Sequence, residues 1–596
     1  MSRRAIRIAA FSGALGDYAG AFAKAVHGDP AADVLIGDYL AEITMGRIQE
    51  QFIAAAKPEG SKSYFVSVFL QQLEPELATI AIRKMKIVVN AGAFNPQGLV
   101  ARIESLVRDK NLALKIACVG GDDLLPRLPE LAREDRIVHL DSGRPLGNLS
   151  GRIVAANAYL GGWGIAAALA AGADIVICGR VTDAALVAGP AAWWHGWQRE
   201  DWNSLAGAIV AGHIIECGPQ AMGGNFSGFT ALPRDMRLGF PVAEIEADGS
   251  AIITKRGDEG GAVTTDTVTA QLLYEIQGPR YLNPDAILHM DSVRVSAVGP
   301  DRVRISQVQG GPAPAGTKVG CYYQNGYRTM LWAYITGIEW EAKTAWLRQQ
   351  MQSIADGLAL DDYRFEVCGK PVPNPGTKPE ATIAIRIAAA AQDKATLARF
   401  AAGYSSFGLG GFPGFHGDSA GIHPRIEYWP GLVAQNELQQ LMTLGQEVQV
   451  IPLPQTQAFA GMPGRDPGVS TDLSHYGPTR RAPLGEVILA RSGDKGGDAN
   501  LGIWCSNPAA YPWLAAFLTE ERASFLLDLP QDVTAERYLF PNVHGILLVL
   551  KNYFGPSGTG NIGLDQIGKA IGEFLRARDA DIPVAFLLLR KVDGEF

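Results

Sequence analysis

Cysteine is scarce. Six occur in 596 residues, at positions 118, 178, 217, 321, 368 and 505, and no two form a C-x-x-C pair. That spacing argues against a disulfide framework or a zinc cluster and leaves buried thiols as the expectation. No dense block of Lys and Arg occurs, and the net charge is −8. The chain therefore has no electrostatic footprint for nucleic acid, and no nucleic-acid partner is expected. No apolar run approaches membrane-span length, so no membrane partner is expected either. The opening stretch Met1-Ser-Arg-Arg-Ala-Ile-Arg-Ile-Ala-Ala10 has basic residues but passes straight into a strand. It lacks an apolar signal core and a cleavage pattern, which makes a cytoplasmic location the expectation. A complete nucleophile triad, a zinc signature and a full dinucleotide fingerprint are also absent. No cofactor or metal is identified from the sequence.

What is present is a composition of 47% hydrophobic and 19% charged residues, in a chain too long for one ordinary core. At least two domains are expected. The 69 glycines fall in tight clusters, which suits turns and backbone-built sites.

The chain is organised around Gly172-Ala-Asp-Ile-Val-Ile-Cys-Gly-Arg-Val-Thr-Asp-Ala-Ala-Leu186. A short apolar run ends at Gly179 and Arg180, and Thr182 and Asp183 open an Ala-rich helical stretch. This is the βα turn of an α/β protein, and ligands in parallel sheets sit beyond such strand ends. Arg180 and Asp183 would stand there beside free backbone N–H groups. Alternatively, Asp183 caps the helix and Arg180 pairs with it.

The same design repeats upstream. Ile6–Phe11 is followed by Ser12-Gly-Ala-Leu-Gly-Asp17, whose G-x-x-G-D spacing suggests a phosphate or carboxylate cradle rather than a nicotinamide site. Asp38 and Glu42 are four apart and would share a helical face if the helix begins there, able to hold a metal or serve as acid and base, or else standing as a solvated or capping pair. Asn90 and Asn95 bracket a small-residue turn, and Gly120-Gly-Asp-Asp123 closes a further strand. Strands alternating with helices predict an α/β fold with a mostly parallel, Rossmann-like sheet. Asp17, Asp38, Asn90, Asp122 and Arg180 would converge along one edge of it.

In Gly212-His-Ile-Ile-Glu-Cys-Gly218, helical spacing puts His213, Glu216 and Cys217 on one face. His213 and Glu216 are the leading acid/base candidates, against a buried, hydrogen-bonded histidine as the alternative. Gly223-Gly224-Asn225 follows as a glycine-rich binding candidate. Residues from about 230 to 450 read as strand-rich and could form a subdomain of a first domain spanning 1–451. His416 and His423 lie in a Gly- and aromatic-rich stretch that could be a lid, a subunit contact or a metal pair. Residues 452–481 read as a linker, and 482–596 as a small α+β domain. That domain opens on a glycine-rich hairpin with Arg491, Ser492, Asp494 and Lys495, which is a binding loop or a charged β-turn.

Several of these segments together resemble the acyclic terpene utilisation family AtuA: Gly37-Asp-Tyr-Leu-Ala-Glu42, Asn90-Ala-Gly-Ala-Phe-Asn-Pro96, the Ala173–Asp183 segment, Gly212–Cys217 and Gly223-Gly-Asn-Phe226. Arg491-Ser-Gly-Asp-Lys-Gly496 is similar to the signature of that family's C-terminal ferredoxin-fold domain. The resemblance implies a ferredoxin-like C-terminal domain and a role in acyclic terpene breakdown, a route that runs through CoA thioesters. It supplies no catalytic residues. The expected function is lyase- or hydratase-type acid/base chemistry on an acyl-CoA or small carboxylate, with the CoA moiety as a possible bound group. His213, Glu216, Asp183 and Arg180 would be catalytic. Asp17, Asp38, Asn90, Asn95, Gly223, Gly224, Asn225 and the Arg491–Lys495 group would bind substrate. The alternative is a non-catalytic scaffold or substrate-binding subunit of a pathway enzyme. Self-association is expected of so large a chain.

Overall fold

A computed structural model describes residues 3–54, 64–149, 151–233, 237–463, 470–555 and 558–589. Its main sheet has eleven strands, and only the central five run parallel. In spatial order these are Ile6–Ser12, Val34–Gly37, Lys86–Val89, Ile175–Cys178 and Ile116–Gly120. Their side chains alternate between two cores. Ile8, Ala10, Val34, Val88 and Val176 face one, while Ala9, Phe11, Leu35, Ile87 and Ile177 face the other. Period-two alternation with both faces covered makes these strands continuous apolar runs in sequence. The helices Trp163–Ala170, Ala185–His195 and Trp202–Ile215 cover the first face. Ala21–His27, Ser67–Leu73, Leu77–Arg83 and Pro96–Asp109 cover the second.

A mostly parallel sheet is therefore too simple a description: the sheet is mixed. Antiparallel hairpins extend it at both ends: Pro241–Ile245 with Ala251–Lys255, Arg294–Gly299 with Arg302–Ser306, and Leu441–Leu444 with Glu447–Val450. Each hairpin has a short turn, which forces antiparallel pairing, whereas parallel neighbours need a long crossover. The strand-rich middle of the chain is thus divided. Part of it extends the main sheet, and part builds a second, antiparallel sheet around the long strands Gly316–Thr336 and His416–Ala434. His416 and His423 stand along one of these strands, opposite Tyr334 and Arg328. Seven residues of strand separate them by about 20 Å, so they cannot share a metal ion.

The last part of the chain forms a four-stranded antiparallel sheet in the order Leu489–Lys495, Asp498–Trp504, Gly545–Lys551, Thr534–Phe540. One face carries its own helices, with Trp513, Leu514 and Leu575 in the core between. The other face, with Trp504, Phe540 and Leu547, joins the core of the large α/β body. Polar contacts reinforce this seam. Trp504 Nε1 donates to Asp266 (2.9 Å), and Asn500 Nδ2 donates to the Leu273 carbonyl (3.0 Å). The expected linker is tied down at both ends: Thr456–Gln457 pairs with Ala313–Pro314, and Thr479–Pro483 with Asp579–Pro583. Residues 464–469 of it lie outside the described residues. No helix among the described residues is long and apolar enough to cross a membrane.

Candidate functional site

The carboxyl ends of the parallel strands deliver the first group of polar side chains. Ile175–Cys178 ends at Gly179, where a Cβ would stand 2.4 Å from Asp122 Oδ1. Asp122 accepts the Arg180 backbone N–H and the Asn157 amide, each at 2.8 Å. The Arg180 N–H is therefore not free for a ligand, and Asp122 serves to hold the turn. The Arg180 guanidinium is buried, lies 4.1 Å from the Tyr159 ring, and reaches Asp183 at 2.6 Å. Asp183 makes no helix-capping bond: the helix Ala185–His195 starts from Ala184.

Asp38 follows the neighbouring strand and is buried. It accepts the Asn90 amide at 2.6 Å and the Leu40 N–H at 3.0 Å. The helix begins only at Glu42, so Asp38 and Glu42 are not one turn apart on a common helical face. Burial and the nearby Asp183 push the Asp38 carboxyl up from its usual range. His213, in the last turn of Trp202–Ile215, approaches Glu216 at 3.4 Å, and both are buried. Burial and then the Lys495 ammonium depress the His213 imidazole to about 4, which keeps it neutral near pH 7. Burial, Asp183 and Glu275 raise the Glu216 carboxyl. The Cys217 thiol is pushed up by burial and by Glu216, so it is not poised as a thiolate.

The second group comes from the C-terminal hairpin, which turns at Gly496–Gly497 with φ of 67° at Gly496. Its tip brings Lys495 into a cavity of about 130 Å³ whose other walls belong to the α/β body. Asp183, Tyr159, Tyr281, Glu275 and Lys318 line this cavity with it. Lys318 reaches Glu42 at 2.6 Å, and the Tyr159 hydroxyl donates to Glu42 at 3.0 Å. Lys495 lies 3.8 Å from Glu275. Burial alone would raise the Glu42 carboxyl, but Lys318, Lys495 and Arg180 overcome it and hold Glu42 well below its ordinary value. Burial alone would likewise lower the Lys495 ammonium, yet Glu275 and Glu42 lead a net rise, so it stays charged. His213 is behind this wall, its ring 5.1 Å from that of Tyr281.

The sequence named Arg180, Asp183, Asp38, Asn90, His213, Glu216 and Lys495 as separate candidates, grouping only Asp38, Asn90 and Arg180 of these along one sheet edge; the structure sets them in one neighbourhood. Glu42, noted there only as a partner for Asp38, belongs to it too. Lys318, Glu275, Tyr159 and Tyr281 were not anticipated. Lys318 lies inside a strand, and Glu275 takes an unusual positive φ of 55° that no sequence motif announces.

Other candidates have structural duties. The Asp17 carboxylate itself accepts the Gly13 and Ala14 N–H groups at 2.6 and 2.9 Å, so the expected anion cradle is filled from within. Asn95 caps the helix Pro96–Asp109 through the Gly98 N–H. Gly223 and Asn225 supply positive φ after a short helical turn, and the Asn225 carbonyl accepts from Arg491. Gly224 packs on the Pro219 carbonyl. Arg491 also donates to Gln220 and covers the Tyr274 ring at 4.2 Å, which joins the two domains. Ser492 accepts the Gly572 N–H. Among the described residues, no three His, Cys, Asp or Glu side chains are grouped so as to share a metal ion.

Gly13 ties the first loop to this site. A Cβ there would fall 2.5 Å from the Glu216 carbonyl oxygen and 2.6 Å from the Cys217 carbonyl carbon. Gly13→Ala is expected to destabilise the protein by about 1–3 kcal/mol in urea unfolding, because backbone rather than a flexible side chain must move. Gly16→Ala, where nothing stands within 4 Å, should stay within about 0.5 kcal/mol of wild type.

Comparison with known proteins is consistent with this two-part architecture. The chain matches the model described as "Acyclic terpene utilisation family protein AtuA" over residues 6–444, and that of the AtuA ferredoxin-like domain over residues 482–580. No curated protein and no solved structure matches it. With most of its length spanned by the first model and its C-terminal sheet by the second, the chain belongs to the acyclic terpene utilisation family AtuA.

Proposed function

We propose that this protein is an enzyme of acyclic terpene breakdown that moves protons on a small carboxylate or acyl thioester, in lyase- or hydratase-type chemistry. One observation carries the reading: one cavity is lined by the carboxylates of Asp141, Asp183 and Glu275, the ammonium groups of Lys318 and Lys495 and the phenols of Tyr159 and Tyr281, from both domains. Elimination and hydration need a base close to the reacting C–H, and cations or O–H groups where negative charge develops on oxygen. Asp183 is the base in this reading. It faces the cavity and is oriented by Arg180 at 2.6 Å. Lys495 stays protonated and would meet the developing oxyanion, with Lys318 beside it. Burial keeps the Tyr159 and Tyr281 hydroxyls protonated, so they serve as donors. Neutral His213 stands behind Tyr281, its ring 5.1 Å from the phenol ring and 3.4 Å from Glu216, a positioning role rather than direct contact.

Exchange of substrate C–H protons in D2O, followed by NMR, tests this without knowledge of the product. A panel of short acids and thioesters should include one that exchanges in the presence of wild-type protein. Asp183→Asn should slow that exchange by about 10²–10⁴-fold, and His213→Gln by a smaller factor. Exchange unchanged in a folded Asp183→Asn protein would remove Asp183 as the base. Exchange of no panel member would favour a binding or scaffold role.

A further inference from the structure

The face of the C-terminal sheet that docks on the α/β body ends in a row of charges. Asp498 stands opposite Lys495 in the hairpin register, and Lys551 follows the Ala499–Leu550 pair on the next strand. Side chains alternate along a strand. Lys495, Asp498 and Lys551 therefore point the same way as Arg491, Asn500 and Val549, which meet the body. Neighbouring strands thus carry alternating positive, negative and positive charge, the favourable cross-strand order.

The middle carboxylate ties this row together. Lys551 Nζ donates to Asp498 Oδ2, and the Asn552 N–H donates to Asp498 Oδ1 at 2.8 Å. The same ammonium reaches across to Asp141 of the body at 2.8 Å. Asp141 lines the cavity, as does Leu140, whose N–H donates to the Pro430 carbonyl at 2.8 Å. The hairpin tip rests on that wall: a Cβ on Gly496 would stand 3.5 Å from Pro430 Cγ. Burial alone would lower the Lys551 ammonium, but Asp498 and Asp141 outweigh it and keep it charged. An isolated surface pair would contribute little. Here one cation serves two carboxylates, and only 6% of the Asp498 side chain is exposed. Without that cation the two carboxylates would repel each other across the domain seam.

We infer that Lys551 is a positioning residue for this cavity: by joining Asp498 to Asp141 it fixes the hairpin tip on the body and so sets where Lys495 stands beside Glu275. Lys551 itself is outside the lining and acts through its two partners. Its effect on turnover rests on the cavity being the reactive site, whereas its effect on the hairpin does not.

Two measurements on the full-length protein test this. Hydrogen–deuterium exchange read by mass spectrometry needs no substrate. Lys551→Met should speed exchange of peptides from residues 489–504 by about fivefold or more, and Lys551→Arg should keep most of the wild-type protection. Asp141→Asn, which breaks only the link to the body, should loosen the same peptides. The second measurement is the C–H exchange assay above. With an exchanging compound, Lys551→Met should lower kcat by about tenfold and move KM by less than about threefold, because Lys495 acts on charge that develops in the transition state. Added to Lys495→Met it should cost nothing further, since an absent ammonium cannot be misplaced; a merely structural loss would add. Circular dichroism confirms that each variant is folded. Unchanged hairpin exchange in Lys551→Met, or kcat losses that multiply in the double variant, would overturn the inference. Exchange of no compound would instead sink the proposed reaction, and the hairpin peptides alone would then decide whether Lys551 holds the tip.

Discussion

Replacing Arg180 by methionine is expected to destabilise the protein by about 3–5 kcal/mol, the cost of removing one partner from a buried charge cluster. Arg180 is 2% exposed, and its Nη1 serves both the Asp183 carboxylate and the Val181 carbonyl. Its guanidinium also balances Glu42 and Asp38. Methionine fills much of the volume but leaves those carboxylates without their cation. The loss should be largest at pH 8 and shrink toward pH 5, as the orphaned carboxyls take up protons. Urea unfolding at several pH values measures both the size and the slope. Arg180→Lys should recover only part of the stability, since an ammonium cannot form the same planar contacts with Asp183, Val181 and the Tyr159 ring. A loss equal at pH 5 and pH 8 would mean that packing, not charge, dominates.

The second large effect has the opposite sign. Asp494 sits on the hairpin beside Lys495, and its carboxyl is pushed up to about 7 by burial and by Glu275 and Glu42, against the pull of Lys569. In the unfolded chain it titrates near 3.9. Between these values the folded state binds the extra proton, so this group stabilises the protein fully below pH 4. That contribution is lost as pH rises toward 7. Asp494→Asn cannot ionise. It should match wild type at pH 4 and exceed it above pH 7, by up to about 4 kcal/mol, given 1.36 kcal/mol per pKa unit. His213, depressed to about 4, acts the other way in wild type and variant alike, gaining stability between about pH 4 and 6.5. It therefore cancels in the difference. Melting curves of the two proteins across pH 4–8 read this directly. Parallel curves would show that Asp494 ionises freely in the folded chain.

Much of the fold is legible in the sequence where local rules decide it. Ile175–Cys178 and Val34–Gly37 read as strands because both faces are buried and glycine ends each run. Direction is another matter. Nothing in Pro241–Ile245 shows that it will lie antiparallel beside Ile6–Ser12, because that pairing depends on residues more than 200 positions apart. The site divides in the same way. Asp183 and Arg180 announce themselves at a strand end. Lys318 looks like any polar residue of a half-buried strand, and it matters only because folding sets it beside Glu42. Asp17 misleads for a related reason. The glycine spacing around it is that of an anion loop, yet its own side chain is the anion.

The hairpin that carries Lys495 comes late in the chain and needs Gly545–Lys551 as its neighbour. Synthesis at roughly 5–20 residues per second therefore leaves an interval of about 5–20 s after Val450 leaves the ribosome's catalytic centre. During it Glu42, Asp183 and Glu275 exist but the cation from the hairpin does not. In the nascent chain this pocket must be wet, or hold borrowed protons. It becomes a closed chemical environment only when the final domain docks, so a truncated product would keep Arg180 beside Asp183 and Lys318 beside Glu42 but leave Glu275 without the Lys495 ammonium.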